Sequence, residues 1–287
     1  MRRIFLIALV CLLLTIAGLA GVGEALSRPA THSVGAAPAD IRAVSVRIPV
    51  SSAAFVSGWF SRSNPSSGVI LLLHGVRSDR TQMLGRARFL ERAGYSVLLI
   101  DLPAHGESSG ERITFGAREA AGVAAALAYL RRECPAERVG VIGVSLGAAS
   151  LVLAKPSPPP SAVVLESMYP TIAEAVGDRL TMRFGLVGGQ LAPLLLWQLP
   201  LREGVSPEQL RPIVAISTLG APVLIASGNR DQHTTWSETQ RIFAAAEQPK
   251  ELWAVEGAAH VDLHSYNATV YETRILKFLS RYFRNEA

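Results

Sequence analysis

The sequence is poor in cysteine and lysine, and those shortages exclude more than its abundant residues do. With only 2 Cys in 287 residues a disulfide scaffold is ruled out. Cys11 lies in an apolar run and Cys134 has no partner elsewhere in the body, so no internal bridge is expected. Lysine is confined to Lys155, Lys250 and Lys277, and arginine supplies nearly all of the 28 Lys+Arg. Those arginines are scattered, in groups no denser than Arg2–Arg3 and Arg131–Arg132. A net charge of +5 therefore forms no basic stripe interleaved with aromatics, and no nucleic-acid partner is expected. The sequence has no H-E-x-x-H and no Cys pair at ligand spacing, so no metal site is expected. Charged residues make up only 18% against 49% hydrophobic, which excludes a disordered chain, and the 24 Gly lack the three-residue period of collagen.

What is present begins with a membrane-handling segment. Arg2 and Arg3 precede an uncharged run from Ile4 to Gly23. At about 1.5 Å per residue, such a run just spans a hydrocarbon core of about 30 Å. Residues 1–23 thus read as an N-terminal membrane anchor or a signal peptide, with small-residue cleavage sites at Gly18-Leu19-Ala20 and Gly23-Glu24-Ala25. The basic flank stays in the cytoplasm, so the body is expected to be exported or anchored facing outward. Residues 24–40, rich in Ala, Gly, Ser and Pro, read as a flexible linker.

From residue 41 to 287 strands and helices alternate, which predicts one α/β domain with a mostly parallel sheet and helices on both faces. Ile41–Ile48 alternates at period two and pairs with Val56–Phe60. Continuous apolar runs predict strands buried on both faces at Val69–Leu73, Tyr95–Leu102, Val139–Val144, Ala162–Leu165, Pro222–Ala226 and Glu251–Val255. Helices are predicted over Arg80–Ala93, Phe115–Arg132, Leu146–Ala154, Thr235–Glu247 and His264–Phe283. A leucine-rich stretch at about 170–211 breaks the alternation and reads as an apolar lid insertion of two short helices.

The chemistry concentrates at strand-end turns. Gly143-Val144-Ser145-Leu146-Gly147 joins a buried strand to an Ala-rich helix. Gly143 and Gly147 leave room for a tight turn that holds the Ser145 hydroxyl at the strand's carboxyl end. A hydroxyl needs a base. His260, after the small residues Gly257-Ala258-Ala259 at the end of the last strand, is the candidate, and His233 is its competitor. His32 lies in the linker, His74 and His105 lie upstream of the serine, and His264 sits on the last helix. The acid that orients the imidazole is expected at Asp231, after strand Pro222–Ala226, with Glu166 as the alternate. Asp178 in the lid and Asp262 next to His260 have poor reach.

On these residues the chain resembles the α/β-hydrolase superfamily: Ser145, Asp231 and His260 stand in its order and at its strand ends. His74-Gly75 is similar to its HG loop, and Asp101–Ser108 to its D-x-x-x-H-G-x-S loop. Within the superfamily the chain resembles the serine aminopeptidase S33/lysophospholipase-like bacterial hydrolases. The resemblance implies an α/β-hydrolase fold, no cofactor, and an oxyanion hole made by the backbone N–H groups of Val76 and Leu146. The absence of HGGG sets the chain apart from hormone-sensitive-lipase-like esterases, and Ser145 from dehalogenases with an aspartate nucleophile.

The expected activity is hydrolysis of carboxylic esters of a hydrophobic small-molecule or lipid-like substrate, through an acyl-enzyme. An S33-type aminopeptidase is the alternative, although the lid offers only the scattered carboxylates Glu174, Asp178 and Glu203 to bind an amino terminus. A catalytically silent anchored binding protein on the same scaffold is a third reading.

Overall fold

A computed structural model describes residues 1–63 and 67–283; residues 64–66 and 284–287 of the expected domain lie outside it. Its centre is an eight-stranded sheet. In chain order the strands are β1 (Ala43–Pro49), β2 (Phe55–Ser61), β3 (Val69–Leu73), β4 (Ser96–Ile100), β5 (Val139–Val144), β6 (Ala162–Glu166), β7 (Val223–Gly228) and β8 (Lys250–Val255). In space they run β8-β7-β6-β5-β3-β4-β2-β1. The β1–β2 and β2–β4 pairs are antiparallel and the other five are parallel. This is the mostly parallel α/β sheet expected from the alternation, in the α/β-hydrolase fold that the resemblance implies.

The central strands are runs such as VILLL and SVLLI, with every residue buried, because a parallel sheet is covered on both faces. Alternate side chains of β3 divide between two cores. Val69, Leu71 and Leu73 meet α3 (Ala117–Glu133) and α4 (Leu146–Ala154) on one face. Ile70 and Leu72 meet α2 (Leu84–Arg92) and a long C-terminal helix, Ala268–Phe283, on the other. Glu251–Val255, expected to be buried on both faces, forms the sheet edge as part of β8 and is mostly half-exposed, since only β7 flanks it.

Register places the site. Leu73 of β3 lies opposite both Ile100 of β4 and Gly143 of β5, and Val144 lies opposite Glu166 of β6. The carboxyl ends of these strands therefore finish together, and their loops share one edge. The chain reverses direction across the sheet at β3, the kind of switch point where open α/β sheets leave a crevice.

Two predicted helices differ in detail. Arg80–Ala93 opens with a 3-10 turn over Arg80–Met83, where the Asp79 side chain accepts the Thr81 N–H at 2.7 Å. His264–Phe283 is split at Asn267, whose Oδ1 accepts the Val270 N–H at 3.2 Å and starts the second helix afresh. The leucine-rich segment between β6 and β7 is also more helical than expected. It holds α5 (Ile172–Gly189), α6 (Ala192–Leu196) and α7 (Leu199–Glu203), with α5 running 18 residues across a kink at Gly185.

The N-terminal region requires a correction. Helix α1 covers Arg2–Ser27, longer than the apolar run, and is long and apolar enough to cross a membrane. Of residues 24–40, read above as a flexible linker, 24–27 belong to α1 and 28–40 are bound to the domain. Ala30–Thr31 pairs in parallel with His105–Gly106, and the Val34 and Gly35 amides donate to Glu107 Oε1 at 2.9 and 2.8 Å. Gly35 O accepts from Trp59 Nε1 and Arg80 Nη2, both at 3.2 Å. Small polar composition signals a tether only when nothing pairs with the backbone, and here a carboxylate and a guanidinium do.

A buried ion cluster ties the carboxyl-edge loops to the helices behind them. Arg86, fully buried in α2, donates Nε to Glu166 Oε1 at 3.0 Å and Nη1 to Asp262 Oδ2 at 2.6 Å. Tyr271 adds its hydroxyl to both Arg86 and Glu166. Removing the cation would leave buried carboxylates without a counter-charge. Arg86→Met is therefore expected to lower the unfolding free energy by about 3–5 kcal/mol. Urea unfolding checks this, and an unchanged midpoint would contradict it.

Candidate active site

The serine stands on a turn that only its neighbours' lack of side chains permits. Ser145 has φ 49° and ψ −107°, between β5 and α4. A Cβ on Gly143 would come within 2.7 Å of the Ala148 nitrogen, and one on Gly147 within 2.6 Å of the Leu73 carbonyl oxygen. The turn is held on one side by the Ser145 N–H donating to Glu166 O at 2.8 Å. A non-glycine residue at positive φ is strained, and such strain persists only where its surroundings enforce it. The N-terminus of α4 adds a partial positive charge beside the hydroxyl.

The second half of the site comes from the ends of β7 and β8. Gly228 lets the two loops touch, since a Cβ there would lie 2.2 Å from Ala258 O. The Arg230 N–H donates to that same carbonyl at 2.9 Å, and the Gly257 N–H to Asn229 Oδ1 at 2.8 Å. These bonds bring His260 Nδ1 to 2.7 Å from Asp231 Oδ2, across 29 residues of sequence. The other oxygen of Asp231 accepts the His233 and Thr234 amides at 2.8 and 3.0 Å. A carboxylate only accepts, so Nδ1 is the donor in this bond, and in the neutral ring Nε2 is the nitrogen with the free lone pair. Among the described residues the Ser145 hydroxyl makes no hydrogen bond, so the Asp–His contact is formed while a Ser–His bond is not. Such bonds often tighten only around a substrate.

The other five histidines are engaged differently. His74 is fully buried; its Nε2 accepts the Leu102 N–H at 2.9 Å, so Nδ1 donates to Gly75 O at 2.7 Å. Burial, then the neighbouring His105, push it down to about 3, so it is a neutral latch between two loops. His105 packs edge-on against His74 at 5.2 Å, and His264 stacks on Phe89 at 5.6 Å. His32 pairs with Asp79 at 3.0 Å. His233 sits 4.9 Å from the His260 ring, its pKa lowered by burial and then by His260 and Arg179. The alternate acid Glu166 is committed to Arg86, and so is Asp262.

Gly75 lies against Ser145, where a Cβ would sit 3.8 Å from that of the serine, and its N–H donates to Gln82 Oε1 at 2.7 Å. Gln82 was not singled out from sequence; a lone polar residue at the start of a helix carries no signal there. Val76 and Leu146 both line, with Ser145 and His233, a cavity of about 780 Å³. Its walls are otherwise mainly apolar, from Phe115, Tyr169 and the inner face of α5. Val22 and Leu26 at the end of α1 also line it. That end is fixed by Arg112–Glu24 at 2.7 Å, Arg202–Glu24, and Arg77 Nη2 to Leu26 O at 3.1 Å. Among the described residues no group of three or more His, Cys, Asp or Glu is arranged to hold a metal ion.

Comparison with known proteins agrees with this geometry. Residues 70–273 match the model of the alpha/beta hydrolase family. The chain is 31% identical over 229 residues to the uncharacterized protein Rv2307c of Mycobacterium tuberculosis, covering 78% of this chain and 75% of that one. It is 23% identical over 228 residues to the uncharacterized protein YqkD of Bacillus subtilis, with the same coverage of each. Among solved structures it is similar to the Pyrococcus furiosus esterase Pf2001, with TM-score 0.75, 25% identity, and coverage of 90% of this chain and 99% of that one. Est1E of Butyrivibrio proteoclasticus, solved with ferulic acid bound, shares the fold at TM-score 0.63 and 14% identity, covering 83% and 98%. The strand order, the turn at Ser145 and the family match lead to one conclusion: the chain belongs to the alpha/beta hydrolase family.

Proposed function

We propose that this protein is a serine hydrolase that cleaves carboxylic ester bonds of hydrophobic substrates through an acyl-enzyme. The observation that carries the reading is the 2.7 Å bond between Asp231 and His260, beside a cavity that Ser145 lines. In this mechanism His260 Nε2 takes the proton of Ser145 Oγ as that oxygen attacks the ester carbonyl. Asp231 holds the ring in the tautomer that makes this possible and stabilises the imidazolium. The Val76 and Leu146 amides receive the negative charge on the carbonyl oxygen, assisted by the α4 N-terminus. Collapse expels the alkoxide, which His260 protonates. Water then attacks the acyl-enzyme with His260 again as base, Ser145 recovers its proton, and a carboxylic acid leaves.

Esters are favoured over peptides with a free amino terminus because, among the described residues, no Asp or Glu lines the cavity to hold an ammonium group. The likeness to an esterase at 25% identity points the same way. The apolar walls suit an acyl chain, and a volume of about 780 Å³ lies within the range of ligand pockets.

We read α1 as a membrane anchor with the hydrolase domain facing outward, from the Arg2-Arg3 flank and the exposed apolar surface of its first five turns. The end of α1 contributes to the cavity wall, which favours its retention over cleavage.

Ser145→Ala is expected to reduce turnover of a chromogenic ester by at least about a thousandfold with the fold intact. A fluorophosphonate probe should label the native chain at Ser145. A folded native chain that never labels would instead support the silent binding protein. The full chain should also stay with membranes through an alkaline wash, and a chain beginning at Glu24 should be released; release of both would contradict the anchor.

A further inference from the structure

The cavity beside Ser145 is mainly apolar, yet its wall carries charge that an uncharged ester does not need. Arg179 and Arg183 both line it from α5. Four residues apart, ahead of the kink at Gly185, they lie on one face of the helix one turn from each other. Like charges at this spacing repel, so the pair works against the helix unless something negative sits between them.

The arginines are also short of partners. Arg179 is half-buried, and its one hydrogen bond among the described residues runs from Nη1 to Ala175 O at 2.7 Å. Neither arginine takes part in an ion pair among the described residues, in contrast to Arg80, Arg86 and Arg202, whose guanidinium groups are each matched to a carboxylate. The remaining donors of Arg179 have no hydrogen-bond partner among the described residues, and the residue lines the cavity. Asp178, Asp231 and Glu238 act on Arg179 through their charge without forming an ion pair with it; Asp231 is bonded to His260 and two backbone amides, and Glu238 to Thr235. Burial, and then Glu238, push Asp178 up. Arg77, a third arginine at the cavity, is occupied by the carbonyl groups that end α1.

From this arrangement we infer that Arg179 and Arg183 form an anion subsite, and that the substrate is an amphiphilic ester carrying a carboxylate or phosphate group away from the scissile bond. The apolar walls take the hydrocarbon part, and the two guanidinium groups take the charged end through charge-assisted bonds. No bond is made or broken at this subsite. The inference rests on the serine-esterase reading, because it places the anion relative to an ester at Ser145.

The test uses the full chain and a matched set of esters of one chain length, ending in a methyl, a carboxylate, a phosphate or a trimethylammonium group. The native protein should favour the carboxylate or the phosphate ester over the methyl one by at least tenfold in kcat/KM, and should disfavour the cationic ester. Whichever anion leads identifies the source. Arg179→Met should reduce the anionic-to-methyl ratio at least tenfold, mainly through KM, and Arg179→Lys should restore part of it. Equal handling of the methyl and anionic esters by the native chain, or a ratio that Arg179→Met leaves unmoved, would overturn the subsite. Binding of the same esters to Ser145→Ala reads the subsite without turnover. If no ester is hydrolysed yet the anionic ones bind more tightly and lose that advantage in a Ser145→Ala/Arg179→Met chain, the subsite stands and the esterase reading falls.

Discussion

Asp231 has both oxygens occupied, and this governs the rest of the site. One oxygen takes two backbone N–H groups of its own loop, and the other takes the imidazole of His260. A carboxylate bound this way cannot rotate without breaking a bond in a buried place, where an unpaired donor or acceptor is costly. The bond fixes both the position and the tautomer of the ring. It exists because β7 and β8 end in register, Gly228 opposite Val255, and because Gly228 admits the Ala258 carbonyl where any side chain would exclude it.

Several other carboxylates lie near the same edge of the sheet, and cations sort them. Arg86 takes Glu166 and Asp262, and Arg80 takes Asp101 at 2.6 Å together with Glu107. Asp231 is left to the histidine. Each cluster spans elements distant in sequence: the Arg86 group joins α2, β6, the loop after β8 and the C-terminal helix. The Arg80 group joins the loop after β4 to residues 28–40 through Gly35 and Glu107. Buried ion pairs are weak evidence for added stability, but breaking one is expensive, so they act here as fixed joints behind the strand-end loops. The N-terminal helix and α5 close the chamber from the other side, so the segment that meets the membrane in our reading and the segment that meets the substrate share one wall.

The central strands were legible because a short, β-branched and leucine run such as VILLL, bounded by turn residues, fits a strand covered on both faces. The turn at Ser145 was legible because two glycines at fixed spacing encode a close approach, and the structure supplies the atoms they avoid. The edge position of β8 was not, since a short run such as Leu252–Val255 reads alike at an edge and in the middle. Residues 28–40 misled because their binding is carried by backbone groups and by Glu107, Trp59 and Arg80, none of which marks that stretch. The roles of Arg86 and Gln82, and the pairing of Arg179 with Arg183 at the cavity, depend on neighbours from other elements; a single polar residue on a helix ordinarily denotes a solvated face.

The claim on which the account turns is that Ser145, the ring of His260 and two backbone amides converge on one tetrahedral centre. The crystal structure of the protein after reaction with a p-nitrophenyl alkylphosphonate measures this directly. Our account predicts phosphorus bonded to Ser145 Oγ and the phosphoryl oxygen about 2.7–3.1 Å from the Val76 and Leu146 nitrogens. It also predicts His260 Nε2 within hydrogen-bonding distance of the adduct. An adduct at Ser145 whose phosphoryl oxygen points away from both amides, or a His260 ring that stays out of reach, would contradict it.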